Sequence, residues 1–323
     1  MADTISSALE RLGEPDYATT AQLRSVGVVP DDVALAVRRG RLIRLRRGAY
    51  VDASRWAAMR PEARHAQLVR ATSDFARTRT SPVSHLSAAA MHGLPIVGRV
   101  PRGVHVWSGS ARGGSSSTGL ISHRAGTQPE TTSVDGIAVT SLARTVVDVA
   151  STEQFGTAVC VLDSALGRPI GGSKTILTTD MLVAELDRAG LTHGRRAAER
   201  AIGFADQRSG SPGESWSRAA MHELGFVVPD LQVRFEREHG HADVDYYWRS
   251  HGIVGEFDGN QKYARDEFLR GRAPADVVVA EKRREDELRR RPDVRGFVRW
   301  DWRVARSPRR LAALLDGASV PRR

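Results

Sequence analysis

The chain has 323 residues, and its 48 Lys and Arg against 38 Asp and Glu leave a formal net charge of +10. That length supports two or three domains whose cores need no disulfide or metal staple, and the charge favours an anionic partner such as nucleic acid or a phospholipid surface. The single cysteine, Cys160, excludes an internal disulfide and any multi-cysteine zinc or iron–sulfur site, and no apolar run approaches the ~18 residues of a membrane span. A soluble, cytoplasmic protein without membrane contact is the expectation. Lys174, Lys262 and Lys282 are the three lysines in an arginine-dominated chain, which makes each a candidate for work that a guanidinium does poorly.

Residues 1–55 read as two short helices and a hairpin. Thr20 caps a helix running to Val26, which Gly27 stops; Pro30 opens a second helix through Val37, with Asp31 and Asp32 in its favourable first turn. Six arginines then fall within ten residues: Arg38, Arg39, Arg41, Arg44, Arg46 and Arg47. Residues 42–45 and 49–51 make two short strands around Arg46-Arg47-Gly48. Helix, turn, helix and basic wing in that order form a winged-helix pattern, in which the second helix enters the major groove and the wing contacts phosphate. The plainer reading of the same arginines is a solvated surface on an ordinary connection.

Residues 56–205 are a mixed α/β region. Helices are expected over Pro61 to Arg77, over Ser84 to His92 with Gly93 as the stop, and over Ser141 to Ala150. Strands are expected at 104–107 and 136–140, with an exposed glycine- and serine-rich loop from Gly109 to Gly119. His85, His92 and Arg144 are read as packing histidines near a helix end and an arginine pairing with Asp148 at i+4. Residues 206–213 have linker composition, and 214–323 form a last domain. There Glu214 lies at the start of a helix ending near Gly225, and strand material follows at 226–228 and 231–233.

The most informative stretch is Ala242 to Gly259. Two alternating strands flank Arg249-Ser250-His251-Gly252, which pairs Trp248 with Ile253, Asp245 with Glu256 and Asp243 with Asp258. Four carboxylates then share one face, with Val244, Tyr246, Trp248 and Phe257 on the other. Like charges set opposite each other destabilise a hairpin unless a cation or arginines compensate, and a hard ion such as Mg²⁺ is held by one or two carboxylates together with substrate phosphates. The bland alternative is a set of solvent-facing acids on an edge hairpin. Lys262 lies four residues beyond Asp258, and Lys282 lies on an expected helix at 281–290 that can return over the hairpin. Gly296 to Val304 alternates as a strand with Val298, Trp300 and Trp302 on one face, and Ser307-Pro308 opens a terminal helix.

Ser211-Pro212-Gly213-Glu214, Asp243-Val244-Asp245-Tyr246, Gly255-Glu256-Phe257-Asp258-Gly259, Lys262-Tyr263, Glu281-Lys282-Arg283-Arg284-Glu285-Asp286 and Val298-Arg299-Trp300-Asp301-Trp302 occur in this order. The set resembles the endonuclease-like domains related to very-short-patch-repair enzymes, members of the restriction-endonuclease-like PD-(D/E)xK superfamily. The resemblance implies a mixed sheet flanked by helices and a Mg²⁺- or Mn²⁺-dependent hydrolase acting on DNA. In it Asp245 is the first metal-binding aspartate, Glu256 the second acidic ligand and Glu214 an accessory glutamate. The superfamily pattern places lysine two residues after the second acid, where this chain has Asp258; Lys282, then Lys262, are the substitutes, or the nuclease is inactive. Residues 17–52, with Ser84 to Pro95 and Gly136 to Asp148, resemble the AbiEi-type antitoxins of type IV toxin–antitoxin systems. That resemblance implies DNA as a partner, self-repression of an operon and a cognate toxin protein. The expected architecture is thus an α+β multidomain chain: winged helix, mixed middle region and nuclease-like domain.

Overall fold

The computed structural model describes residues 2–13, 16–75, 81–109, 119–124, 126–169, 176–237, 240–259 and 284–323. The chain is a mixed α/β protein that divides into two units, Met1–Thr152 with Pro169–Arg196, and Glu153–Arg168 with Ala197–Arg323. Lys174, Lys262 and Lys282, and most of the expected loop from Gly109 to Gly119, lie outside the described residues. Among the described residues no helix is long and apolar enough to cross a membrane.

The first unit begins with α1 (Ala2–Arg11), β1 (Ala18–Thr19), α2 (Thr20–Ser25), α3 (Pro30–Arg38), β2 (Leu42–Arg46) and β3 (Ala49–Asp52). The cap of α2 is Thr19, one residue before the expected Thr20, because Gln22 completes a reciprocal capping box with it. Pro30 sits in the first turn of α3, ahead of two acids that suit the positive end of the helix. The three strands pair antiparallel in the order β1-β3-β2, and Leu23, Val28, Val33, Ala36 and Leu42 close a core with Ile5 and Ala8 of α1.

After α4 (Ala53–Ala58) come α5 (Pro61–Phe75), α6 (His85–Met91), β4 (Val104–Trp107), β5 (Leu120–His123), β6 (Thr131–Val134), β7 (Ile137–Thr140) and α7 (Leu142–Thr152). Beyond α8 (Phe155–Ala165), which belongs to the second unit, the chain returns for α9 (Thr179–Ala189). β4 and β5 pair parallel, β6 and β7 antiparallel, and Val83 bridges to both Val106 and Val139.

The second unit holds α8, most of α10 (Arg195–Phe204), α11 (Pro212–Glu223), β8 (Asp230–Glu236), β9 (His241–Trp248), β10 (Ile253–Asp258), a helix α12 at 284–289, β11 (Gly296–Asp301), α13 (Trp302–Ala305) and α14 (Pro308–Gly317). The sheet order is β11-β10-β9-β8, with β10–β11 parallel and the other pairs antiparallel. Residues 153–168 therefore belong with the C-terminal part of the chain, because α8 packs on α11 and both carboxylate oxygens of its Asp163 accept from Arg218 Nη2, at 2.9 and 2.8 Å. The stretch 206–213, expected as a linker, is built into this unit. The Asp206 N–H donates to Asp163 (2.8 Å), the Gly210 N–H donates to Glu214 (2.8 Å), and Ser211 caps α11.

Two details depart from simple alternation. The strand expected over 296–304 stops at Asp301, whose side chain accepts from the N–H groups of Arg303 and Val304 and starts α13. Trp302 consequently leaves the strand face and meets Phe257 edge-on, while Val298 and Trp300 stay in the core. In β8, Gln232 has φ +50, in the left-handed region, and the ladder skips the Gln232–Asp245 pair between Leu231–Tyr246 and Val233–Val244. Val244 and Tyr246, nominally on one face, therefore enter different apolar clusters. Tyr246 joins Trp248 and Trp300, whereas Val244 joins Tyr247, Val254 and Leu288 of α12.

Candidate functional site

The hairpin has the expected register from Trp248–Ile253 to Tyr246–Gly255, which carries Asp245 and Glu256 onto the adjacent positions. Glu214 arrives from α11. A Cβ built on Gly213 would fall inside the Phe257 ring, so only glycine lets the first turn of α11 lie this close to β10. The Tyr246 hydroxyl donates to the Glu214 carbonyl (2.8 Å) and the Trp300 indole to Ser217 Oγ (2.9 Å), fixing the helix on the sheet.

Glu214, Asp245 and Glu256 are held in different ways. Glu214 Oε2 accepts from the Gly210 N–H and from Gln232 Nε2 (2.9 Å). Asp245 accepts from the Phe257 N–H (2.8 Å) and from the same Gln232 amide (3.3 Å). All these donors are neutral. Burial first, and then the neighbouring Glu214 and Glu256 carboxylates, push the Asp245 carboxyl far above the usual carboxylate range. Burial likewise raises Glu214, against the donors from Ser211, Gly210 and Gln232. Glu256 instead meets two cations: Arg284 Nη2 lies 2.6 Å from one oxygen and Arg299 Nη2 2.5 Å from the other.

The other two acids of the expected four-carboxylate face are elsewhere. Asp243 is a surface residue on the far side of the Gln232 kink, directly opposite Arg234 and bonded to its guanidinium at 2.9 and 3.1 Å. Asp258 is half-buried at the end of β10, 3.7 Å from Arg299 Nε. The left-handed Gln232 of β8 lies opposite Asp245, where the β8–β9 ladder is interrupted, and Arg299 meets both Glu256 and Asp258. Among the described residues no three His, Cys, Asp or Glu side chains are arranged to hold a metal ion by themselves. The expected helix over the hairpin is present at 284–289, where Leu288 packs on Val244 and Val254.

Residue type alone does not single out Gln232, Arg284 or Arg299. Gln232 carries no local signature of its kink. Arg299 becomes the partner of Glu256 through the parallel β10–β11 register, which joins residues 43 apart.

In the first unit the arginine run is unevenly displayed. Arg38, Arg39, Arg44 and Arg47 are exposed, whereas Arg41 and Arg46 are half-buried and Arg46 donates to the Thr72 carbonyl of α5 (3.1 Å). Deeper in this unit His85 does pack near a helix start, but in company: its ring stacks on His123 with centroids 3.6 Å apart, and His123 Nε2 lies 2.8 Å from His105 Nδ1. Arg144 and Asp148 form the expected i,i+4 pair at 2.8 Å, fully buried, and His92 donates to the Thr140 carbonyl (2.8 Å).

No family model matches the chain, and no curated protein matches it. A solved structure of the RV2827C protein from Mycobacterium tuberculosis is similar over 67% of this chain and 79% of that one, at 15% identity and a TM-score of 0.35. At that level the likeness leaves the reading of the chain to its own elements and side chains.

Proposed function

We propose that the chain is a DNA-binding protein whose second unit is a Mg²⁺- or Mn²⁺-dependent endonuclease of the restriction-endonuclease-like kind, delivered to DNA by an N-terminal winged helix. The observation that carries this reading is the convergence of Glu214, Asp245 and Glu256 from a helix and two strands, with buried Glu214 and half-buried Asp245 bonded to neutral donors. Buried carboxylates without a cation are costly, and oxygen ligands of this kind suit a hard divalent ion that completes its shell with water and phosphate. Asp245 and Glu256 are the proposed ligands, with Glu214 beside them. When bound, such an ion supplies charge stabilisation at a phosphoryl oxygen. Gln232 holds Glu214 and Asp245 to one amide and keeps the pair from separating. Lys282, then Lys262, remain the proposed cations for the charge that develops during phosphodiester hydrolysis.

The arginine run supports the DNA-binding half of the proposal. A helix at 30–38 and a hairpin at 42–52 stand in winged-helix order, with Arg38 and Arg39 closing the helix and Arg44 and Arg47 on the hairpin. A second reading, an AbiEi-like antitoxin or repressor with a catalytically inactive nuclease-like domain and a cognate toxin, is favoured by Asp258 in the usual lysine position and by the two arginines on Glu256. One experiment separates them. Purified chain is incubated with duplex, single-stranded and mismatched DNA in Mg²⁺ or Mn²⁺, and binding and cleavage are read from the same samples. The nuclease reading expects cleavage that chelation abolishes and Asp245→Ala removes. Salt-sensitive binding with every substrate left intact selects the second reading, and replacing Arg44 and Arg47 should then reduce the salt slope by about one for each arginine that neutralises a phosphate.

A further inference from the structure

Arg303, Arg306, Arg309 and Arg310 fall within eight residues, from α13 to the first turn of α14, and all four are exposed. Residues 302–315 contain no acid to offset them. The flanking acids are already engaged: Asp301 accepts from the N–H groups of Arg303 and Val304, and Asp316 is bonded to Arg322 at 2.7 and 3.0 Å. Among the described residues no carboxylate pairs with any of the four guanidiniums. Other surface arginines of this unit are paired, as Arg208 is with Asp206, Arg234 with Asp243, Arg249 with Asp230 and Arg291 with Asp293. Four like charges gathered this closely repel one another, and an anion from outside relieves that repulsion.

The stretch that carries them is anchored. The Trp216 indole donates to the Ala305 carbonyl (3.1 Å), Ala305, Leu311 and Leu315 are buried in the core, and the Arg306 guanidinium lies 4.6 Å from the centroid of the Trp302 ring. The charges therefore stand on fixed backbone, and a guanidinium fork matches phosphate oxygens two at a time. The apolar side of α14 is spent on the core. Among the described residues the exposed large apolar side chains are Val29, Val100, Ile176 and Val183, all of the first unit. A membrane-binding segment combines basic residues with an apolar face left to insert. This one has the charge without that face, which favours the phosphates of a nucleic acid over a lipid surface.

We propose that Arg303, Arg306, Arg309 and Arg310 bind the phosphate backbone of DNA, giving the second unit a contact of its own in addition to the one proposed for the N-terminal wing. This inference rests on the DNA-binding reading and deepens it, since the unit with the proposed nuclease centre then holds DNA through charges that carry no base preference.

The test is fluorescence anisotropy of a labelled duplex with the full chain over a range of salt, alongside sedimentation with vesicles of phosphatidylserine and phosphatidylcholine. Replacing all four arginines by Gln should make the dependence of log affinity on log salt shallower by about two to four, roughly one for each phosphate no longer neutralised. The loss should be equal across unrelated duplex sequences. The same four changed to Lys should keep most of the slope, because counterion release follows charge. Arg44→Gln with Arg47→Gln should lower the slope by about two on its own, and the combined variant should lose both contributions. Melting curves check folding, and a threefold variant, Arg303→Gln with Arg309→Gln and Arg310→Gln, leaves Arg306 on Trp302 if the fourfold one melts low. A wild-type chain with steep salt dependence and a fourfold variant with the same slope overturn this contact and leave DNA binding to the wing. Vesicle binding lost in the fourfold variant, with its duplex slope unchanged, overturns it in favour of a lipid surface. Wild-type duplex binding that is absent or indifferent to salt overturns both the contact and the DNA-binding reading.

Discussion

The two units each bury a cluster of titratable side chains, and the clusters solve the problem of burial in opposite ways. In the first unit His65, His85, His105 and His123 lie together. His65 Nε2 meets Ser87 Oγ at 2.7 Å, the same hydroxyl accepts from the His105 backbone N–H at 2.8 Å, and the His105 and His123 rings are hydrogen-bonded at 2.8 Å. A neutral imidazole is both donor and acceptor, so shedding its proton lets a histidine cluster satisfy much of itself. Burial holds His105 down to about 3, helped by His123 and His65, and His65 down to about 4. In the second unit an ionised carboxylate is acceptor only, so Glu214, Asp245 and Glu256 need donors from outside the set: the Gly210 and Phe257 backbone, Gln232, Arg284 and Arg299. The histidine cluster takes ring contacts and a ring–ring hydrogen bond from its own members, while the acidic one takes its donors from outside.

The largest effect that sharpens this contrast is expected where a buried acid already owns its cation. Asp163 and Arg218 are almost fully buried, bonded to each other, and tied further by the Asp206 N–H and the Phe204 carbonyl. Arg218→Ala leaves Asp163 uncompensated and should cost the second unit about 3–5 kcal/mol, read by denaturant unfolding. A loss under about 1 kcal/mol, the scale of an exposed ion pair, would mean that buried acids in this unit tolerate isolation, and the case for an open cation site at Asp245 would weaken with it.

Acid should then distinguish the units. His65 and His105 titrate below the value of a free histidine in the folded chain, so between about pH 6.5 and pH 4 the unfolded chain binds protons that the folded one refuses. Their contribution is therefore present above about pH 6.5 and is lost as pH falls, at about 1.4 kcal/mol per pH unit for each histidine. Unfolding followed by hydrogen exchange of α6 and β4 should show that slope in wild type and a shallower one in His105→Asn. An unchanged slope in the variant would remove His105 as a source of the acid sensitivity.

Much of the molecule is legible in the sequence where the signal is local. Proline in the first turn of α3 and α14, Ser307 as a cap, and the 248–253 hairpin register are all short-range chemistry and appear at their expected places, whereas Ser211 and Pro212 open α11 two residues before the expected Glu214, inside the expected linker. Glu214, Asp245 and Glu256 are legible as candidate acids, and the fold brings them together. The parts that sequence could not supply depend on distant backbone. Arg299 reaches Glu256 through a parallel pairing, His123 stacks on His85 from a strand far along the chain, and α8 leaves its sequence neighbours for α11. The separation of Val244 from Tyr246 into different clusters accompanies a feature that is invisible in residue types, since a glutamine of the neighbouring strand adopts a left-handed conformation in mid-strand. Ion pairs between arginine and an acid are so numerous here that pairing by type alone gives no selection, and register has to supply it.

The smallest expected effect bears most directly on the contrast. Asp245→Asn keeps the side-chain shape, keeps an oxygen for the Phe257 N–H, and removes a buried charge that lies beside Glu214 and Glu256. A self-satisfied cluster loses stability when one member changes, as replacing a bonded histidine should show. A cluster arranged for a cation gains in the ion's absence, because the repulsion it sustains serves binding rather than folding. Asp245→Asn should therefore raise the stability of the second unit at neutral pH by about 0.5–2 kcal/mol in chelator, while abolishing the stabilisation that the proposed site expects Mn²⁺ to give the wild type. The two measurements come from one pair of melting curves, with and without the ion. A variant that melts below wild type in chelator would make Asp245 a structural acid whose hydrogen bonds outweigh its charge, and the acidic centre would then resemble the histidine cluster after all.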